Sequence, residues 1–214
     1  YINVIGPEEV IAGLDAAPKI GIAPMEVSFI NESIGTIESV IWDFGNGGSS
    51  DQLSPIYTYD LPGIYDVSMI AYGTLNNDTI QEFDFINVYD KRPIISSIVD
   101  IPNDQGGQVL LRWNPSGWDG PVGNKITQYS LWEDYNGEWI NINNAMANQS
   151  DSYTFLANTF ADSNSESVNW SRFKVLAHTN EPGIFYESPV DSGFSIDNVP
   201  PATPSAVLAI ISSN

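Results

Sequence analysis

Any chemistry in this chain has to come from carboxylates, amides and aromatic rings, because other reactive side chains are scarce. There is one histidine, His178 in "VLAHTN", and there is no cysteine. Without a second imidazole, an HExxH pair or a thiol, His178 cannot anchor a zinc site or a nucleophilic triad, and it reads as a plain strand residue. No GxSxG elbow, Walker-type phosphate loop or dinucleotide fingerprint occurs. "GNGGSS" at 45–50 is glycine-rich, but no helix follows to aim its amides at a phosphate. Asp and Glu number 27. Two carboxylates roughly 5–10 Å apart would serve a glycosidase; spacing singles out no such pair, so no catalysis is expected.

The aromatic residues make a stronger candidate. Trp118 lies in the loop "SGWDGP", and Trp132, Tyr135 and Trp139 crowd around the hairpin "LWEDYNGEW". Rings presented on one face would form a stacking platform for a polysaccharide. Cross-strand rings that simply cover a sheet would look the same in sequence. Charge narrows the partners further. Seven Lys and Arg against 27 acidic residues give a formal net charge of −20 over 214 residues. That field repels nucleic acid and anionic lipid surfaces and attracts cations, Ca²⁺ first among them. No apolar run approaches the roughly 18 residues of a membrane span, so no membrane insertion is expected.

The elements that must position these groups are strands. Short alternating runs rich in Val, Ile, Phe, Tyr and Trp are split every 8–12 residues or so by Gly, Asn, Asp and Pro, the pattern of β-sandwiches. Alternation puts Val27 with Phe29 on one face, Tyr65, Val67, Met69 and Ala71 on another, and Val109, Leu111 and Trp113 on a third. "VYDKRPIISS" marks a boundary near residue 91, because Pro93 cannot donate to a ladder. The fold class expected is all-β, with two immunoglobulin-like sandwiches in tandem at 14–90 and 91–198. The first residues, "YINV", nearly repeat "FINV" at 85–88. Residues 1–13 therefore read as the last strand of a preceding module plus a linker, and 199–214 as the start of a following module, with 206–211 as its first strand, or as a C-terminal linker strand. The chain reads as a piece of a longer, processed polypeptide.

In residues 15–90, "APMEVSFINES", "IWDFGNG" and "SPIYTYDLPGIYDV" occur in order and at the spacing of the PKD family, which this stretch resembles. The resemblance implies an immunoglobulin-like module in which the Trp-Asp-Phe-Gly run is mainly structural. Trp42 and Phe44 would fill the space between sheets, Gly45 and Gly47 would take positive φ, Asp43 would accept backbone N–H bonds, and Tyr65 would make a hydroxyl-to-backbone corner contact. Two departures stand out: Asn46 where the family usually has Asp, and Tyr57 where it often has His. Some PKD modules bind Ca²⁺ near this turn, which makes Asn31, Asp43 and Asn46 the candidate ligands here, a thin set for an ion that needs six or more oxygens. Junctions around Asp90 and Asp197 are the alternative.

Residues 93–198 resemble a fibronectin type III domain less sharply. "VLLRWNPS", "ITQYSLWED", "GEWININ", "SYTFLA" and the stretch from Phe173 stand for its successive strands, and "NTFADSNSESVN" at 158–169 reads as an exposed insertion. Both resemblances imply a non-catalytic structural and adhesion module of a large secreted or cell-surface protein, whose partners are neighbouring domains of the same polypeptide or other proteins. The alternatives are a carbohydrate- or matrix-binding accessory module of a secreted hydrolase, and a subunit of an extracellular filament assembled by strand pairing.

Overall fold

Alternating hydrophobicity carries through to structure in both halves of the chain. The computed structural model describes residues 6–164 and 166–199, and among them every regular element is a β-strand. The end strands expected at 1–4 and 206–211 lie outside the described residues.

The first sandwich contains β1 (Leu14–Ala17), β2 (Ile20–Ile22), β3 (Met25–Asn31), β4 (Ile37–Asp43), β5 (Ser49–Ser50), β6 (Ile56–Tyr59), β7 (Gly63–Gly73) and β8 (Asn77–Tyr89). A three-stranded sheet, β1-β3-β6, faces a five-stranded one, β2-β8-β7-β4-β5. Val27, Phe29, Val40, Trp42, Val67, Met69 and Ala71 are all buried between them. These are the inward positions that period-two alternation dictates. The Tyr65 hydroxyl donates to the Leu61 carbonyl at 2.8 Å, the corner contact expected of it. Residues just before β1, read from sequence as linker, also pack here. Val10 is buried; its N–H donates to Asn76 Oδ1 at 2.7 Å, and its carbonyl accepts from Asn76 Nδ2 at 2.9 Å. An apolar side chain next to a core edge gains more from docking than a solvated linker would.

The second sandwich contains β9 (Ile94–Asp100), β10 (Gln108–Asn114), β11 (Ile126–Tyr135), β12 (Glu138–Met146), β13 (Tyr153–Asn158), β14 (Asp162–Ser163), β15 (Ser171–Thr179), β16 (Phe185–Glu187), β17 (Asp191–Gly193) and β18 (Ser195–Ile196). One sheet runs β13-β10-β9, the other β12-β11-β15 with β16 and β17 both paired to β15, and β14 pairs in parallel with β18. β12 and β13 each end their sheet. In the core, Trp113 stacks on Tyr153 at 5.3 Å between centroids and meets Tyr129 edge-on at 5.9 Å. Beneath them lies the buried Asp119, whose Oδ2 accepts from the hydroxyls of Tyr129 (2.9 Å) and Tyr153 (2.6 Å) while Oδ1 accepts from Gln149 N–H (3.0 Å). Every oxygen of that buried carboxylate has a partner, as burial demands. Burial, together with the bond to Asp119, pushes the Tyr153 hydroxyl up to about 12.

The junction is built rather than loose. β8 ends at Tyr89 and β9 starts at Ile94. Between them the Asp90 carbonyl accepts from Gly117 N–H at 2.8 Å, and the Lys91 carbonyl accepts from Ser116 Oγ at 2.6 Å. Residue 117 has to be glycine: a Cβ there would lie 2.6 Å from Ile22 Cδ1 and against Tyr89. Asp90 also grips Arg92, 2.7 Å from carboxylate to guanidinium. Burial works to raise the Asp90 pKa, but the hydrogen bonds and charge of Arg92, with Lys91 nearby, hold it below the usual range.

Candidate functional site

At the β4–β5 turn the sequence-derived ligands are already occupied. Asp43 Oδ1 accepts from Gly45 N–H at 2.9 Å, and Asn46 Oδ1 accepts from Gly48 N–H at 3.1 Å and from the Tyr57 hydroxyl at 2.9 Å. Gly45 and Gly47 take φ of 79° and 88°. Asn31 sits on β3 in the opposite sheet, where its Oδ1 accepts from Ser33 N–H at 2.9 Å. Each candidate oxygen thus closes its own local turn. Among the described residues, no group of three or more His, Asp and Glu side chains gathers where it could hold a metal ion. Phe44 stacks on Tyr57 at 4.0 Å and meets Phe29 at a tilt at 4.9 Å, so the turn is anchored to the core by its rings. The two departures from the family pattern, Asn46 and Tyr57, bond to each other.

The four aromatic candidates of the second sandwich divide into three places. Trp132 and Trp139 share the outer face of the β12-β11-β15 sheet. The Trp132 indole N–H donates to Ser130 Oγ at 2.8 Å, and Ser130 Oγ shares a 2.7 Å hydrogen bond with His178 Nε2. Burial lowers the His178 pKa. Trp139 lies under Lys174, whose Nζ is 4.4 Å from the ring centroid, and beside Arg172, which is ion-paired to Asp134 at 2.7 Å. Trp118 is half-buried, packed on the core and covered by Lys125 Nζ at 3.6 Å. Tyr135 points to the other side of the hairpin and meets Phe160 at 4.4 Å. The sequence therefore clusters residues that the pleat separates: an odd spacing, 132 to 135, puts two side chains on opposite faces.

Tyr135 has partners that sequence did not supply. With Phe160 and Trp170 it lines an open groove of about 400 Å³, edged by Asn136, Asn169 and Arg172. Trp170 is 59 % exposed and leans edge-on against Phe194 at 5.0 Å. The groove exists because the 158–169 insertion folds back: Asp162 Oδ1 accepts from Ser195 Oγ at 2.6 Å, and β14 pairs with β18. On the far side of Phe160, Glu133 is buried to 2 % exposure with Oε1 lacking any hydrogen-bond partner. Burial raises its pKa from 4.5 to about 6, against the pull of a hydrogen bond from Ser171.

Two sandwiches in tandem, each with a small and a large sheet and no helix among the described residues, define an all-β protein of immunoglobulin-like modules. Residues 6–88 match the family model of the PKD domain, which assigns the first sandwich as its motifs suggested. The chain is similar to the PKD1 domain of the Vibrio cholerae metalloprotease PrtV, at 26% identity over 39% of this chain and 99% of that one, with a TM-score of 0.32. It is similar also to the PKD1 domain of Vibrio anguillarum Epp, at 25% identity over 39% and 99% of the two chains, with a TM-score of 0.31. The FN1–FN3 domains of chicken CNTN1 align over 89% of this chain and 66% of theirs, at 13% identity and a TM-score of 0.36. None of the curated proteins matches the chain.

Proposed function

We propose that this chain is a non-catalytic spacer and interaction segment of a secreted or cell-surface multidomain protein, in which a PKD domain is followed by a fibronectin type III-like module. The built junction carries this reading. A spacer transmits position only if its modules do not swivel freely, and the default for linked domains is relative motion. Here two backbone carbonyls of the linker are tied to the 116–117 loop of the second sandwich, and Gly117 admits Ile22 of the first. Backbone ¹⁵N relaxation tests it: the two sandwiches share one rotational correlation time in the native chain and separate into two in Gly117→Leu. Independent tumbling of the native chain removes the reading.

A second reading is favoured by the Tyr135, Phe160 and Trp170 groove. Exposed rings flanked by amides suit the apolar faces and hydroxyls of a sugar, and the Asp134–Arg172 pair leaves that rim without net charge. A neutral polysaccharide is the class that fits. Retardation in affinity gels of neutral glycans, lost in Trp170→Ala, supports it; unchanged migration across such a panel sinks it.

A further inference from the structure

Glu133 occupies the core-facing side of β11, in line with Leu131, where alternation calls for an apolar residue. Glu133 lines a cavity of about 340 Å³ that opens between the two edge strands β12 and β13. Ile140, Ile142, Phe155, Leu156 and Phe160 supply apolar walls. The other polar groups at the rim are engaged: Asn158 Oδ1 accepts from Gln108 Nε2 at 2.9 Å, and Thr159 Oγ1 shares a 2.5 Å hydrogen bond with Ser195. None of the ion pairs among the described residues reaches Glu133. The one charged residue in the cavity wall is therefore Glu133, whose buried Oε1 is unspent, among mostly apolar side chains.

We infer that this cavity is a binding site for a primary ammonium group carried on an apolar stem, with Glu133 as its counter-ion. A buried carboxylate without a counter-ion is costly, and a bound cation that pairs with it offsets that cost while its stem displaces water from the apolar walls. The volume falls at the small end of ligand pockets, roughly 300–1,000 Å³, which suits a single side chain or a small amine. Charge is complementary at long range as well, since the chain's net charge of −20 draws cations inward. The same chemistry has two sources. One is a lysine side chain of a peptide laid along the unpaired edge of β12 or β13. The other is a free alkylamine.

The test uses isosteric probes on the whole chain at pH 7.5, where a carboxyl of pKa about 6 is mostly ionised. 2-Phenylethylammonium and 2-phenylethanol differ in charge and hardly in shape. The ammonium binds at least ten-fold more tightly than the alcohol, with amide shifts confined to β11, β12, β13 and the adjoining Thr159 and Phe160. Glu133→Gln, which keeps the shape and the fold, brings the two probes to equal affinity. Leu156→Trp, which fills the cavity and leaves the carboxyl in place, loses both. A lysine-containing extended peptide that outbinds the free amine identifies a side-chain source; the reverse identifies a small amine, and either supports the site. Equal binding of ammonium and alcohol by the native chain, binding of neither, or a preference that survives Glu133→Gln overturns the inference. None of these outcomes depends on how the two sandwiches tumble or on glycan binding.

Discussion

The β4–β5 turn and the β11–β12 hairpin hold equivalent places in the two sandwiches, each joining a strand near the centre of the larger sheet to its edge. They treat polar groups in opposite ways. In the first, Asp43, Asn46, Tyr57 and Tyr59 each spend a side-chain oxygen inside the turn, and even the Trp42 indole N–H donates to the Gln52 carbonyl at 2.9 Å. In the second, Asp134 is likewise spent on Gly137 N–H and Arg172, but its neighbour Glu133 is left with a buried free oxygen, and Tyr135 turns its ring toward an open groove. Buried polar groups that close on themselves specify a fold. Those left open in a cavity are where a ligand can add free energy.

Disrupting the closed region gives the largest effect. Trp42 is fully buried and contacts Phe29 at 5.5 Å. Trp42→Ala costs about 3–5 kcal/mol, read as a lower urea midpoint for the first sandwich. An unchanged midpoint would show that the turn is not the structural hinge described. The second sandwich has its own closed centre, and Asp119→Ala is next in size. It strands the hydroxyls of Tyr129 and Tyr153 and the N–H of Gln149, at about 2–4 kcal/mol for several unsatisfied groups. Loss of the second thermal transition only, with the first unmoved, is the expected outcome.

Glu133→Gln goes in the other direction. A carboxyl whose pKa is 4.5 in the unfolded chain and about 6 in the folded one binds more protons in the native state between those values. Its contribution to stability therefore falls as pH rises from about 4.5 through 6, by about 2 kcal/mol at the usual 1.4 kcal/mol per pKa unit. Gln carries no such dependence. The difference in unfolding free energy between Glu133→Gln and the native chain should be near zero at pH 4 and should favour the variant at pH 7.5. A difference that stays flat across that window would mean the carboxyl is not held in an apolar site.

What the sequence disclosed follows from how local each feature is. Alternation at Val27 and Phe29, or at Leu111 and Trp113, needs only neighbours two apart, and the Trp42 turn and Tyr65 corner are spelled out within a few residues. Glu133 carried a legible signal too, since it falls on the inward register of Leu131 and Tyr135, but an acid among many acids in this chain did not stand out. The groove was not legible. Phe160 and Trp170 approach Tyr135 only because β14 pairs with β18, thirty-odd residues away in sequence, and no local pattern encodes that pairing. Trp118 misled for the converse reason: a loop tryptophan looks exposed until Lys125 and the core cover it.

The smallest effect is the most specific to this chain. The PKD pattern that the first sandwich resembles usually has Asp, and often has His, where this chain has Asn46 and Tyr57, and here the Tyr57 hydroxyl donates to Asn46 Oδ1 at 2.9 Å. Having both departures together keeps a hydrogen bond at this spot while an amide and a phenol stand in place of a carboxylate and an imidazole. The site is exposed, so each member contributes little: Tyr57→Phe and Asn46→Ala each cost about 0.5–1.5 kcal/mol. If the two residues act through one bond, the double variant costs less than the sum by about 0.5 kcal/mol, a coupling that a double-mutant cycle resolves. Additive losses would mean that Tyr57 acts only by stacking on Phe44. Reinstating the family pair, Asn46→Asp with Tyr57→His, sharpens the point through pH. A histidine beside a carboxylate has a folded pKa above its ordinary value of about 6.5, so its stabilisation is full below about 6.5 and fades as pH rises through the raised value. The native pair has no such group at this position. Stability of the reinstated variant should therefore fall across neutral pH relative to the native chain, and parallel curves would show that residues 46 and 57 do not communicate.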